Sequence, residues 1–336
     1  MTETGHGRLV WLDFLKGLAM FAVVANHVFD TRVPICPSAL ICELSFFNVS
    51  LFVICGGVSA SLSFASCQMP GRKWSKSVSR IMSLLGYYTL ALAMTRIMYT
   101  RRLDLGDFFA SWISFPAQFY FVLFFCELLL VSPIIYALLL NYRGKYFQSI
   151  VCVVGIMLVS LYCMFFTNIP LVYGGGGRLL GGSYLFLFSL GCFVALNRPL
   201  SEKKTLISLA GLMMIPLIGA VALKFFAGGS GGLVWALNPP GLLRMGYALS
   251  LFVVFSTLLK IQWLQSSRIV KGFTWLGRHS LDIFLYHMLV LFALLKLFPD
   301  FSGWTWAICC CLLMLIGGVA IGKGVRRLVF CGKQCY

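Results

Sequence analysis

Residues Trp11 to His27 read WLDFLKGLAMFAVVANH. The run is apolar enough to enter a bilayer, yet it carries Asp13, Lys16, Asn26 and His27, which a lipid-facing helix avoids. An ionisable side chain near the bilayer centre costs about 2.5–3.5 kcal/mol on insertion scales, so each is expected to face the interior of a helix bundle. Lys16 and His27 are eleven positions apart. At about 100° per residue that is three turns with about 20° of drift, which puts them on one face, about 16 Å apart along the axis. Asp13 falls within about 60° of the same line. The stretch therefore reads as a membrane helix with a polar stripe.

The rest of the chain extends this reading. At 336 residues, 60% hydrophobic and 11% charged, with mean hydropathy +0.91, it cannot cover itself with a water-soluble surface. A hydrocarbon core of about 30 Å needs roughly 20 apolar residues per helix. Such runs fall at 9–29, 39–66, 78–99, 117–140, 148–166, 179–197, 205–227, 241–261, 274–298 and 303–324. Short alternating segments of the kind that build a transmembrane barrel are not the pattern. The expected fold is all-α: one polytopic bundle of about ten transmembrane helices, a single domain over residues 1–336.

A net charge of +17 would suggest nucleic acid in a soluble protein, but the cations sort by loop. One side holds Arg8, Arg72, Lys73, Lys76, Arg80, Arg143, Lys145, Arg198, Lys203, Lys204, Arg268, Lys271, Lys323, Arg326, Arg327 and Lys333; the other holds Arg32, Arg101, Arg102 and Arg178. The positive-inside rule then puts both termini in the cytoplasm, and membrane lipids, not nucleic acid, are the expected surroundings. The thirteen cysteines lie mostly in apolar runs and show no zinc spacing, so no metal is expected. Cys36 and Cys42 flank the first outer loop and could pair in an oxidising space, although unpaired thiols are the simpler reading. MTETGHGR carries an acid and the apolar run after it is broken by Asp13 and Lys16, unlike a cleavable signal.

Further polar residues mark other helices. Neutral imidazole takes a proton from a hydroxyl near neutral pH, which makes His27 the general-base candidate; a hydrogen-bonded core histidine is the bland alternative, and Asp13 and Lys16 could simply neutralise each other. Gly56 and Gly57 in LFVICGGVSA allow close approach of a helix or a ligand. GRKWSKSVSR at 71–80 reads as a basic inner loop, either a topological anchor or a receiver of phosphate. Glu127 needs a partner such as Arg96, Arg244 or Lys224, or else it is protonated. TNIPLVYGGGGRLLGG at 167–182 and AGGSGGLVWALNPPG at 227–241 read as outer loops; Arg178 in the first could close over a site, and no Lys-Ser/Thr follows the glycines, so a phosphate loop is not indicated. In WLGRHSLDIFLYHMLV, Asp282 and His287 lie about 140° apart and should meet different neighbours.

At these positions the chain resembles acyltransferase family 3, integral-membrane enzymes that move acyl groups, most often acetyl or succinyl from a CoA thioester, onto sugars of envelope molecules. The residues that carry the resemblance are LDFLKGLAMFAVVANH, LFVICGG, the basic start of the third helix, the fourth-helix aromatics followed by Pro133, YLFLFSLGCFVA and LGRHSLDIFLYH, in order across nearly the whole chain. Lys16 stands where the family usually has arginine, Cys55 where it has serine, and its paired arginines appear only as Lys76 and Arg80. The resemblance implies acetyl-CoA or another acyl-CoA as donor and a glycan, lipid-linked sugar or lipid headgroup as acceptor, in a bacterial inner membrane. It also implies roles: His27 as base, Lys16 on the donor or its thioester oxygen, Asp13 orienting Lys16, and Arg72, Lys73, Lys76 and Arg80 on the CoA phosphates. Glu43, Glu127, Arg178 and His287 would serve the acceptor or support the site. A transporter or lipid flippase is the competing class, since buried charge also suits transport, but no inverted repeat is evident.

Overall fold

A computed structural model of the chain describes residues 9–30, 33, 35–67, 69–100, 104–114, 116, 119–143, 145–169, 177–197 and 240–330. Among these the regular structure is all helical, which satisfies backbone polar groups inside hydrocarbon. The helices are α1 Val10–Val28, α2 Ala39–Ser45, α3 Asn48–Ala65, α4 Pro70–Thr100, α5 Leu105–Ser114, α6 Tyr120–Asn141, α7 Tyr146–Phe166, α8 Tyr184–Leu196, α9 Leu242–Leu258, α10 Gln262–Ser266, α11 Arg268–Arg278, α12 Ser280–Leu297 and α13 Trp304–Phe330, with a 3-10 turn, Leu179–Gly181, before α8.

Six described segments are long and apolar enough to cross a membrane: Ala39–Ala65, Pro70–Met98, Tyr120–Asn141, Phe147–Phe166, Ser280–Leu297 and Trp304–Arg327. The chain is a multi-pass integral membrane protein. Ten spans were expected, and the physical reasons for the difference are specific. The run at 205–227 lies outside the described residues. The 13 residues of α8 rise only about 20 Å and the 17 of α9 about 26 Å, short of a 30 Å core. The 19 residues of α1 are long enough, but Asp13, Lys16, Asn26 and His27 lower its hydropathy.

Other expected boundaries move as well. GRKWSKSVSR is not a loop but the first turns of α4. Pro70 opens that helix, where its missing N–H costs nothing, and no second proline interrupts it. The expected second helix turns at Phe46 and Phe47, and the expected ninth breaks at His279 into α11 and α12. The connection between α4 and α6 contains α5. Cys36 and Cys42 are free thiols, and Cys42 Sγ donates to the carbonyl of Phe29.

The helices form two compact units, one from residues up to Val49 together with those from Leu258 onward, the other from Ser50–Thr257. In the first, α1 packs against α2, α11, α12 and α13. Gly17 and Gly277 set the α1–α11 crossing: a Cβ on Gly17 would sit 1.9 Å from the carbonyl oxygen of Phe273, and one on Gly277 1.7 Å from that of Asp13. Small residues of this kind are what allow membrane helices to touch backbone to backbone. The ring of Phe273 meets Phe14 and Phe21 edge-on at centroid distances of 5.3 and 5.7 Å.

In the second unit, α6 carries Pro133 in its interior, which removes the N–H that would bond the carbonyl of Leu129. Ser77 Oγ of α4 donates to that carbonyl at 2.8 Å and Ser132 Oγ at 2.6 Å, so the proline defect becomes a tie between helices. Gly57 packs on the backbone of Phe188 in α8, and Gly191 of α8 packs on Ile54, which assigns the Gly56-Gly57 pair to helix packing.

Candidate functional site

Regular helix from Val10 to Val28 keeps the polar stripe of α1 intact. Its N-terminal end is held by α11: Arg278 Nε lies 3.5 Å from Asp13 Oδ2, and Asp13 is buried. The acid that was expected to orient Lys16 thus has an arginine from a distant segment as an ion-pair partner. Lys16, three positions on, is half-buried.

The other end is fixed by α2. Asn26 Nδ2 donates to Ser45 Oγ at 3.3 Å and lies 3.5 Å from the carbonyl of Cys42. Two further contacts hold the connection after α1: Phe29 packs on Trp304 at 5.5 Å, and the N–H of Gly303 donates to the carbonyl of Ile35 at 2.7 Å. Glu43 sits half-buried on α2. Asn26 was read only as one more polar residue; its place beside His27 was the available signal.

His27, half-buried, faces His287 of α12, with ring centroids 5.2 Å apart and planes at 37°. His287 is buried, and its Nδ1 lies 2.9 Å from the carbonyl oxygen of Ile283 and 2.8 Å from that of Phe284. A nitrogen between two carbonyls can only donate, so Nδ1 carries the proton and Nε2 an acceptor lone pair. Asp282, as its angular offset implied, looks elsewhere: it pairs with Arg326 of α13 and with His279, 3.4 Å away. Nearby, Lys323 Nζ sits 6.0 Å from the ring centre of Trp275.

The basic residues expected to receive phosphate all lie on α4, in the second unit. Its 31 residues rise about 46 Å, more than the thickness of a hydrocarbon core. Arg72 and Lys76 are exposed; Lys73 and Arg80 are half-buried. Lys76 Nζ donates to the carbonyl of Ser63 and to Ser66 Oγ at 3.2 and 3.1 Å, and Lys73 Nζ lies 4.8 Å from the ring centre of Tyr136.

Glu127, also in this unit, corrects an expectation. Among the described residues, the hydrogen bond it accepts comes not from Arg96 or Arg244 but from the backbone N–H of Leu180, at 2.6 Å to Oε2. Arg96 donates to Ser111 Oγ, and Lys224 lies outside the described residues. Leu180 adopts φ +53°, followed by Gly181 and Gly182 at +67° and +60°. A non-glycine residue in that region is strained, and the carboxylate helps to hold it. Arg178 donates to the carbonyl of Thr167, whose Oγ1 accepts from the N–H of Leu179 at 3.0 Å. Glu127 and Arg178 therefore shape one turn. Of the other cations expected on the outer side, Arg32, Arg101 and Arg102 lie outside the described residues. A cavity of about 710 Å³ beside α6 and α7 is lined by apolar residues such as Ile134, Leu138 and Val151, and contains none of the expected base or donor residues.

A family model described as an acyltransferase domain matches residues 9–323, nearly the whole chain. The chain belongs to that acyltransferase family. Membership implies membrane acyltransferase activity in general, and the match runs from the residue before α1 through the α12–α13 pair. No curated protein matched this acyltransferase. Among its described residues, no cluster of three or more His, Cys, Asp or Glu side chains could hold a metal ion.

Proposed function

We propose that the chain transfers an acyl group, acetyl first among the choices, from acyl-CoA to a hydroxyl of a glycan, a lipid-linked sugar or another envelope acceptor. His27 is the general base. The observation that carries this reading is the pairing of half-buried His27, at the end of a polar helix stripe, with the buried ring of His287. His27 removes the proton of the acceptor hydroxyl, the oxygen bonds to the acyl carbon, the C–S bond breaks, and the CoA thiolate takes the proton back from the imidazolium. Lys16, on the same face, holds the donor or balances the charge that develops on the thioester oxygen. Asp13, paired with Arg278, fixes that end of α1 beside it. Arg72, Lys73, Lys76 and Arg80 receive the CoA phosphates. Glu43 supports the His27 end, and Glu127 and Arg178 hold the turn before α8. In this reading the membrane is a bacterial inner membrane with both termini on its cytoplasmic side, as the sorting of cations by loop supports, so that cytosolic donor reaches the basic residues.

The test is acceptor-dependent release of free CoA from radiolabelled acetyl-CoA by the purified protein, with glycans, lipid-linked sugars and lipids as acceptors. His27→Ala and His27→Gln are expected to lose about 10²–10⁴-fold in rate at unchanged expression. Full activity in both variants would remove His27 as base, and acceptor movement without thioester loss would replace the enzyme by a transporter.

A further inference from the structure

We infer that His287 is a positioning residue that orients His27 through an N–H···N hydrogen bond; the inference rests on the acyl transfer proposed above. Three observations carry it. First, Nδ1 of His287 is committed to the carbonyls of Ile283 and Phe284, which fixes one tautomer. Second, Nε2 is buried and has no hydrogen-bond partner, in a side chain only 1% exposed. A buried polar atom without a partner costs on the order of 1–3 kcal/mol, so it calls for an explanation in function. Third, the ring beside it is that of His27, at 5.2 Å between centroids, which leaves room for a bond of about 3 Å between facing nitrogens after a rotation of the His27 ring.

The chemistry follows from the fixed lone pair. An imidazole held by its N–H presents its other nitrogen, with the lone pair, to whatever approaches. With one nitrogen of His27 donating to His287 Nε2, the second must carry the free lone pair and point at the acceptor hydroxyl. When His27 takes the hydroxyl proton, the N–H facing His287 becomes part of an imidazolium and its hydrogen bond strengthens. The proton returns to the departing CoA thiolate, so the cycle closes with His287 unchanged. The arrangement has the logic of a nucleophile's base held by a third group, with a neutral acceptor in place of a carboxylate.

Two substitutions separate this role from a purely structural one. His287→Asn keeps an N–H donor at the δ position, able to reach the two carbonyls, but has no atom at the ε position. His287→Gln keeps an acceptor near the ε position and gives up the δ donor. The assay is CoA release by the purified full chain in nanodiscs, with radiolabelled acetyl-CoA and an acceptor that wild type turns over; size-exclusion profiles check that each variant is intact. The expected result is a kcat at least about tenfold lower for Asn, part of the 10²–10⁴-fold that a positioned base contributes, with the acetyl-CoA KM unchanged and Gln clearly more active than Asn. Asn as active as Gln or more so, equal loss in both, or a change confined to KM would overturn the inference. A wild type without acyl transfer would instead defeat the underlying function, and a dead His27→Ala beside a fully active His287→Asn would defeat this inference alone.

Discussion

Replacing Gly277 by alanine tests the way the site is anchored. The added Cβ would lie 1.7 Å from the carbonyl oxygen of Asp13, 2.6 Å from its carbon and 3.0 Å from the nitrogen of Gly17. Ordinary contact begins near 3.4 Å, so the backbones of α1 and α11 must part by up to about 1.7 Å, the difference between 3.4 and 1.7. Rigid backbone is struck, not the tip of a side chain, which puts the cost near the upper end of the 1–3 kcal/mol typical of overpacking. Alanine recovers up to about 1 kcal/mol in helix propensity, for a net loss of about 2 kcal/mol. The matched control lies on the same helix: Gly272 has no described atom within 4 Å of its would-be Cβ, so Gly272→Ala should gain up to about 1 kcal/mol. Thermal unfolding of the detergent-purified protein should therefore rank Gly272→Ala at or above wild type and Gly277→Ala several degrees below it. Acyl transfer should fall with Gly277→Ala, because Asp13 and Lys16 ride on the displaced helix. Equal melting of the two variants would refute the close α1–α11 contact.

Lys16→Arg should change the KM for acetyl-CoA more than that for the acceptor, since it gives the cation proposed to hold the donor a planar fork in place of a point charge; steady-state kinetics with each substrate varied would show it, and equal changes in both would give Lys16 another task. Neutralising Arg72 and Lys76 together with glutamine should raise the donor KM with little effect on stability, because both are exposed; an unchanged KM would remove α4 from donor binding. Ser77→Ala removes one of the two hydroxyls on the carbonyl freed by Pro133 and should cost about 1 kcal/mol in thermal or denaturant unfolding, with Pro133→Ala reducing that penalty. Glu127→Ala should destabilise by about 1–3 kcal/mol, and Glu127→Gln, which retains an acceptor for the Leu180 N–H, by less.

What could be read in advance was whatever repeats within one helix. The α1 stripe, the apolar runs and the divergence of Asp282 from His287 follow from a single rotation per residue, and the structure keeps the stripe, the divergence and six of the ten runs as spans. What could not be read depends on which distant segment comes to rest alongside. Arg278 answers Asp13 from 265 positions away, and a lone glycine at 17 or 277 says nothing until its partner is known. Glu127 was given an arginine or lysine because charge suggests charge, yet a backbone N–H in a left-handed turn serves it, and backbone donors are invisible in side-chain patterns. The break at His279 had a local cue: Asp282 falls in the first turn of α12, where the helix dipole favours an acid. Likewise RIVKGFTWLGR buries Val270, Thr274 and Gly277 at helical spacing, a short amphipathic helix of its own.

The stripe that gives α1 its ionisable residues also makes it a poor membrane helix. Asp13, Lys16 and His27 together carry an insertion cost of up to roughly 10 kcal/mol at about 2.5–3.5 kcal/mol each. Lipid offers nothing against that cost, whereas protein does. The acid gains Arg278, the amide next to the histidine gains Ser45 and Cys42, and α1 is packed by α2, α11, α12 and α13. All but one of those helices come from the last 79 residues, Leu258 to Tyr336. The segments that solvate the stripe are thus the ones that supply His287, so burying the charges and bringing His287 to His27 are one act of folding. A helix of this composition is stable in the bilayer only when its site is assembled, which is why the first and last parts of the chain close on each other to form one unit.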